Sequence, residues 1–255
     1  MRLWRPRSEP GVVIERPDGR FHRLLSDPLV DPPDRWRLGP EVPTPAAGSL
    51  AAPGRPGKIV GVGRSYAAHA RELDNPVPEE PLLFLKAPSA VVGPGDLIRL
   101  PPESSRVEYE GEIAIVIGRR LSRAGVDEAQ RAVLGATAAN DVTARDLQGR
   151  DATFARAKSF DSFCPLGPAI LIDPPLTRLE VATRLNGEER QRGRASELLW
   201  EIPEILAYIS RMMTLEPGDL VLTGTPAGVG PLAPGDLVEV EVTGVGTLAN
   251  PVSLI

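Results

Sequence analysis

A chain of 255 residues, 42 % hydrophobic and 25 % charged, with a net charge of −5, can bury one large core and a small appendage. It has no basic excess of the kind that nucleic acid or an anionic membrane attracts, and no apolar run near the ~20 residues of a membrane span. A single cysteine, Cys164, excludes an intrachain disulfide, and the start MRLWRPRSEPG lacks an apolar signal segment. The expectation is therefore a cytoplasmic protein that binds neither nucleic acid nor membrane.

Residues 1–52 read as a small N-terminal β unit, with VVIERPDGRFHRLL folding as a hairpin about Asp18-Gly19. PTPAAGSLAAPGRPG, 43–57, is rich in Pro, Gly and Ala and reads as a linker into a main domain of residues 53–255. The motif PGDL occurs at 94–97, 217–220 and 234–237, each time as a Pro-Gly turn launching a strand. Helices are few. The pattern predicts one over 65–74 capped by Ser65 and one over 127–140 capped by Asp127. A third covers 197–213, where Leu198, Leu199, Ile202, Ile205, Leu206, Ile209 and Met212 keep helical spacing. Alternation dominates elsewhere, so the fold class is α+β, mostly β.

The chemistry centres on VEYEGEIAIVIG, 107–118. Ile113, Ile115 and Ile117 alternate with Ala114 and Val116 as in a buried strand, yet Glu108, Glu110 and Glu112 lead into it at period two. Stacked carboxylates repel, and burying them is costly without compensation. Glu110 and Glu112, with Asp141 in AANDVTARDLQ, can converge on one ion. Hard oxygen donors favour Mg²⁺, Mn²⁺ or Ca²⁺ over Zn²⁺. An acidic strand face in water is the commoner meaning of two such glutamates, but here they abut an apolar run.

Other groups stand out by residue type. His69 precedes Glu72 by three residues, so on a helix the two share a face and the carboxylate can orient the imidazole. Only three lysines, Lys58, Lys86 and Lys158, occur among 29 basic residues, so a Lys in a distinctive motif such as ARAKSFDSFCPLGP points to ammonium chemistry. LVLTGTPAGVG, 220–230, can present backbone N–H groups and the Thr225 hydroxyl to an anion, but lacks the Lys-Ser/Thr of a P-loop. His22 reads as a surface or structural residue, and Cys164 as a buried structural one.

Seven blocks in order, GRSYAAHARE, FLKAPSAVVGPGD, EYEGEIAIVIG, ANDVTARDLQ, AKSFDSFCPLGP, LNGEERQ and LTGTPAGVGPL, resemble the fumarylacetoacetate hydrolase superfamily over residues 58–255. The short EGE form and the His-bearing segment are similar to its acylpyruvase, oxaloacetate decarboxylase and hydroxyheptadienedioate isomerase members. The resemblance implies a mixed β-roll assembled as a homodimer, and Glu110, Glu112 and Asp141 as ligands of Mg²⁺ or Mn²⁺. It implies Lys158 beside metal and substrate, and His69 with Glu72 as a general-base dyad on a segment, 65–81, that closes over substrate. Gln148 and Thr225 match substrate-contacting positions, and Arg64 and Arg145 match arginines of the same motifs.

The resemblance also implies a metal holding a 2-oxo acid and stabilising an enolate as a C–C bond breaks or a proton leaves C3. The first expectation is C–C cleavage of an acylpyruvate or of oxaloacetate. The alternative is isomerisation of 2-hydroxyhepta-2,4-diene-1,7-dioate, or the related tricarboxylate decarboxylation, in aromatic-compound catabolism. A reading of another class is a catalytically idle, metal-stabilised β protein, which would need neither the His69–Glu72 pair nor Lys158.

Overall fold

The structure, a computed structural model, describes residues 1–255 apart from Glu9, Leu73 and Asn75. Every residue of the strand Gly111–Ile117 is buried. Ile113, Ile115 and Ile117 enter one apolar core, and Ala114 and Val116 enter another. Alternation between two apolar sets is what a strand covered on both faces requires. This strand lies inside an eleven-stranded mixed sheet. It pairs antiparallel with Val133–Asn140 and with Leu220–Leu222. Ile59–Gly63 runs parallel to Leu220–Leu222 and pairs with the outer strand Leu82–Lys86. On the other side come Cys164–Ile172 and then the N-terminal strands.

The hairpin about Asp18-Gly19 pairs Val12–Glu15 with Phe21–Leu24. Arg2–Trp4 joins these strands to the main sheet by pairing Arg2 with Leu171 and Leu3 with Ile170. Leu3, Ile14 and Leu24 enter the core shared with Ala114 and Val116. A separate five-stranded sheet contains Glu180–Leu185, Glu188–Arg194, Leu237–Val242, Gly246–Leu254 and Ile98–Leu100. Its Val181, Val240 and Val242 share the other core with Ile205, Leu206 and Ile209. The fold is thus α+β and mostly β, with mixed sheets.

Each PGDL is a turn that launches a strand. Its glycine, Gly95, Gly218 or Gly235, has φ of +77°, +89° or +93°, where a side chain would be strained. Its aspartate closes the turn. Asp96, Asp219 and Asp236 each accept, at 2.7 Å, the backbone N–H three residues earlier, from Gly93, Glu216 and Ala233.

Among the described residues the α-helices are α1 (Ala67–Glu72), α2 (Val126–Arg131), α3 (Arg145–Arg150), α4 (Ala155–Lys158) and α5 (Ile202–Met212). Three expectations are corrected here. The helix expected over 127–140 stops at Arg131, with Gly125 and not Asp127 as its cap, and Val133–Asn140 is a central strand. That strand needs small residues: a Cβ on Gly135 would strike the Leu171 backbone of its neighbour. The helix expected over 197–213 begins at Ile202, because Pro203 suits only a first turn and Glu204 reaches back to the Glu201 N–H at 2.8 Å. Ser65 does not cap the helix after it. Its hydroxyl donates to the Thr223 carbonyl at 2.6 Å.

Candidate active site

Two adjacent strand ends bring the acids together. Glu110 precedes and Glu112 lies within Gly111–Ile117, while Asp141 directly follows Val133–Asn140, and Gly111 pairs with Asn140. One carboxylate oxygen from each of Glu110, Glu112 and Asp141 lies within 4.8 Å of the others, and all three residues are buried. Glu108 is not in this group of three; it is buried between Arg106 and Arg145, each 2.6 Å away.

Two glycines shape the cluster. A Cβ on Gly111 would overlap the Thr183 hydroxyl, and one on Gly224 would overlap that of Ser65. At φ +97° Gly224 turns its N–H onto Oε2 of Glu112 at 2.6 Å.

The protein supplies cations opposite the acids. The Lys158 ammonium lies 2.8 Å from Glu110 Oε2 and 2.5 Å from Asp141 Oδ2. Lys86 lies 2.6 Å from Asp141 Oδ1. Arg145 donates to Glu110, to Glu108 and, at 2.6 Å, to Gln148. Burial opposes ionisation of Glu110, but Lys158 and Arg145 outweigh it and hold this carboxyl well below the usual range. Burial likewise opposes the charge on Lys158, and Asp141 and Glu110 overcome it, so its affinity for the proton rises. Glu112 is the exception. It has no ion-pair partner among the described residues, and burial, then Asp141 and Glu110, push its carboxyl well up.

This imbalance is the test of fit for a metal. Three buried carboxylates with hard oxygen donors, one lacking a cation of its own, suit Mg²⁺, Mn²⁺ or Ca²⁺.

The acids floor a cavity of about 270 Å³. His69, Arg64, Arg145, Gln148, Lys158 and Thr225 all line it, so the structure gathers the candidate residues around one space. His69 Nδ1 lies 3.1 Å from Glu72 Oε2, and the other Glu72 oxygen accepts the Gly228 N–H at 2.9 Å. Helix α1 is docked, with His69 and Ala70 buried and Tyr66, just before it, buried too. The expected closing segment, 65–81, includes Leu73 and Asn75, which lie outside the described residues.

The substrate candidates divide. The guanidinium of Arg64 has no hydrogen bond or ion pair among the described residues, and its backbone is left-handed, with φ +57°. Gln148 gives its oxygen to Arg145. The Thr225 hydroxyl is committed to the scaffold: it donates to the Gly111 carbonyl at 2.9 Å and accepts from Gln191 at 2.7 Å.

Three neighbours of the site were not singled out from the sequence. Lys86 is signalled by the same scarcity of lysine that marks Lys158. Phe84 lies under the Lys158 ammonium, with 4.8 Å from the nitrogen to the ring centre. Its ring fits because the facing residue, Gly61, has no side chain. Gln191 binds both the Gly111 N–H and the Thr225–Pro226 loop, a tertiary contact with no local pattern.

Residues 58–253 match the model of the fumarylacetoacetate (FAA) hydrolase C-terminal family. The chain belongs to this family. It is 49 % identical over 213 residues to an uncharacterized protein of Archaeoglobus fulgidus, covering 83 % of this chain and 84 % of that one. It is 42 % identical over 225 residues to the mitochondrial oxaloacetate tautomerase FAHD2A of Bos taurus, covering 84 % and 72 %. A crystal structure of 2-hydroxyhepta-2,4-diene-1,7-dioate isomerase from Mycobacterium marinum superposes with a TM-score of 0.87 at 40 % identity, covering 100 % and 98 %.

Proposed function

We propose that this enzyme moves a proton between the 2-oxygen and a carbon of a dicarboxylic acid, C3 where a 2-oxo acid and its enol interconvert and C5 where a 2-hydroxy-2,4-diene becomes its 2-oxo-3-ene isomer. The observation that carries the reading is that His69, tied to Glu72, lines the same cavity as the three carboxylates. With Nδ1 tied to Glu72, the imidazole has Nε2 for a substrate proton, and the carboxylate steadies the charge that transfer creates. Glu110, Glu112 and Asp141 would hold a Mg²⁺ or Mn²⁺ ion. When bound, such an ion supplies Lewis-acid stabilisation of the negative charge developing at a 2-oxo group.

Arg64, which has no partner among the described residues, favours a second carboxylate over a plain acyl chain, because a planar cation reads that group well. Lys158 and Phe84 stack against each other in the lining of this cavity. Both named relatives with activities act on diacids of this kind, which supports proton transfer ahead of the C–C cleavage expected from the sequence.

The test follows one oxaloacetate reaction by two readouts, enol absorbance and pyruvate formation, with Mg²⁺ or Mn²⁺. Catalysed enol decay without matching pyruvate is the expected result. Pyruvate formation at the full catalysed rate would replace this reading with decarboxylation. The diene diacid, assayed alongside, identifies the longer substrate.

A further inference from the structure

A second cavity, of about 250 Å³, lies against the main sheet beside Leu3 and Val12, with residues 27–29 and 53–55 also lining it, and shares no lining residue with the acidic one. Val116, Leu134, Leu166, Ile170 and Leu220 give it an apolar floor. Thr137 sits in that floor, fully buried, and its hydroxyl has no hydrogen-bond partner. Buried hydroxyls are normally satisfied, so this one marks a place for a polar atom that the chain does not supply.

The rim is cationic. Arg5 and Arg55 both line the cavity. Arg5 donates to the Ala52 carbonyl at 3.3 Å, and Arg55 has no hydrogen bond or ion pair among the described residues. Burial and the nearby Arg55 cation both depress the proton affinity of Arg5, so the two charges already feel each other. Asp27 stands on the same rim, but one of its oxygens accepts the Leu29 N–H and it forms no ion pair with either arginine.

We infer that this cavity binds an aryl carboxylate bearing a hydrogen-bonding group on its ring. The carboxylate would sit between Arg5 and Arg55, the ring would lie on the apolar floor, and the ring substituent would meet Thr137. The size agrees: an apolar cavity of ~150 Å³ takes benzene, so this one takes a substituted ring. A rigid ring also loses less freedom on binding than an alkyl chain of equal area.

The probes are 4-hydroxybenzoate, benzoate and 4-hydroxybenzyl alcohol, titrated calorimetrically into the full chain with and without oxalate. Saturable binding of 4-hydroxybenzoate, tighter than of either other probe and indifferent to oxalate, is expected. Arg55→Ala, a change at an exposed position, should weaken it on the order of tenfold, as for a lost charge-assisted bond. Thr137→Val keeps the shape and should erase the preference for 4-hydroxybenzoate over benzoate. Displacement by oxalate would put the probe in the acidic cavity and overturn the inference. So would affinity unchanged in Arg55→Ala, or no saturable binding at all, which would leave Thr137 to a buried water.

Discussion

The ammonium of Lys86 lies 2.6 Å from Oδ1 of Asp141, with both side chains shut off from solvent. Lys158 holds the other oxygen of the same carboxylate, so Asp141 is fixed from two directions. A buried charge left without its partner is among the costlier changes a protein can suffer. Lys86→Met removes one of the two cations and leaves Lys158, so it should lower stability by about 1–3 kcal/mol in denaturant titration, short of that full loss. Adding Asp141→Asn should restore part of that loss, because the two residues act as a pair. A loss below about 0.5 kcal/mol, the size of an ordinary surface change, would mean that the pair contributes nothing.

The acidic cluster gives a second prediction. Glu112 is the carboxyl whose ionisation the chain's own cations do not offset, so a bound cation is what would let it ionise. Glu112→Gln keeps the shape and the Gly224 hydrogen bond while removing that ionisation. The variant should fold, lose Mn²⁺ binding measured by equilibrium dialysis, and lose turnover. In the unchanged chain, Mg²⁺ at a hundredfold its Kd should add about 2.7 kcal/mol of stability. Unaltered Mn²⁺ binding in Glu112→Gln would remove this residue from the ligand set.

Which parts of this were legible in the sequence follows from how local their causes are. The strand at 111–117 declares itself, because both of its faces are apolar and its period is two. The three PGDL turns are legible because Pro and Gly set the backbone within the motif itself. Val133–Asn140 was not legible as a strand. Its Ala, Gly and Thr residues suit a helix as readily, and the neighbour that decides, Cys164–Ile172, is distant in the chain. The metal-ligand candidates stood out as acids abutting an apolar run. Lys86 hid in FLKAPSAVV, where nothing nearby shows that its partner is Asp141.

The thiol of Cys164 is wholly buried, and burial pushes it from 9.0 up to about 12. The unfolded chain therefore releases this proton above pH 9.0, while the folded chain keeps it until about 12. Stability from the protonated thiol is complete below that window and is lost as pH rises across it. Cys164→Ala should lack this component. Its stability relative to the parent should rise between neutral pH and the top of the window, measured by urea titration at each pH. A constant difference would show that the thiol titrates normally. In its native state the parent should also resist alkylation at neutral pH.

The Glu72 carboxylate joins two elements, holding His69 by one oxygen and the Gly228 N–H by the other. It orients the imidazole and also latches α1 onto the loop after Thr225. His69→Ala should lower kcat by a factor on the order of 10²–10⁴, the range for losing a general base, with Mn²⁺ affinity unchanged. Glu72→Gln should act more mildly, since the amide oxygen can still accept one of the two bonds. Glu72→Ala loses both functions, and the second has its own readout. Arg71 is exposed on α1, so trypsin cleavage there reports release of the helix. Cleavage should be slow in the parent, slower still with oxalate and Mg²⁺, and fast in Glu72→Ala. If all three rates are equal, Glu72 does not latch the helix, and its effect on kcat must come through the imidazole alone.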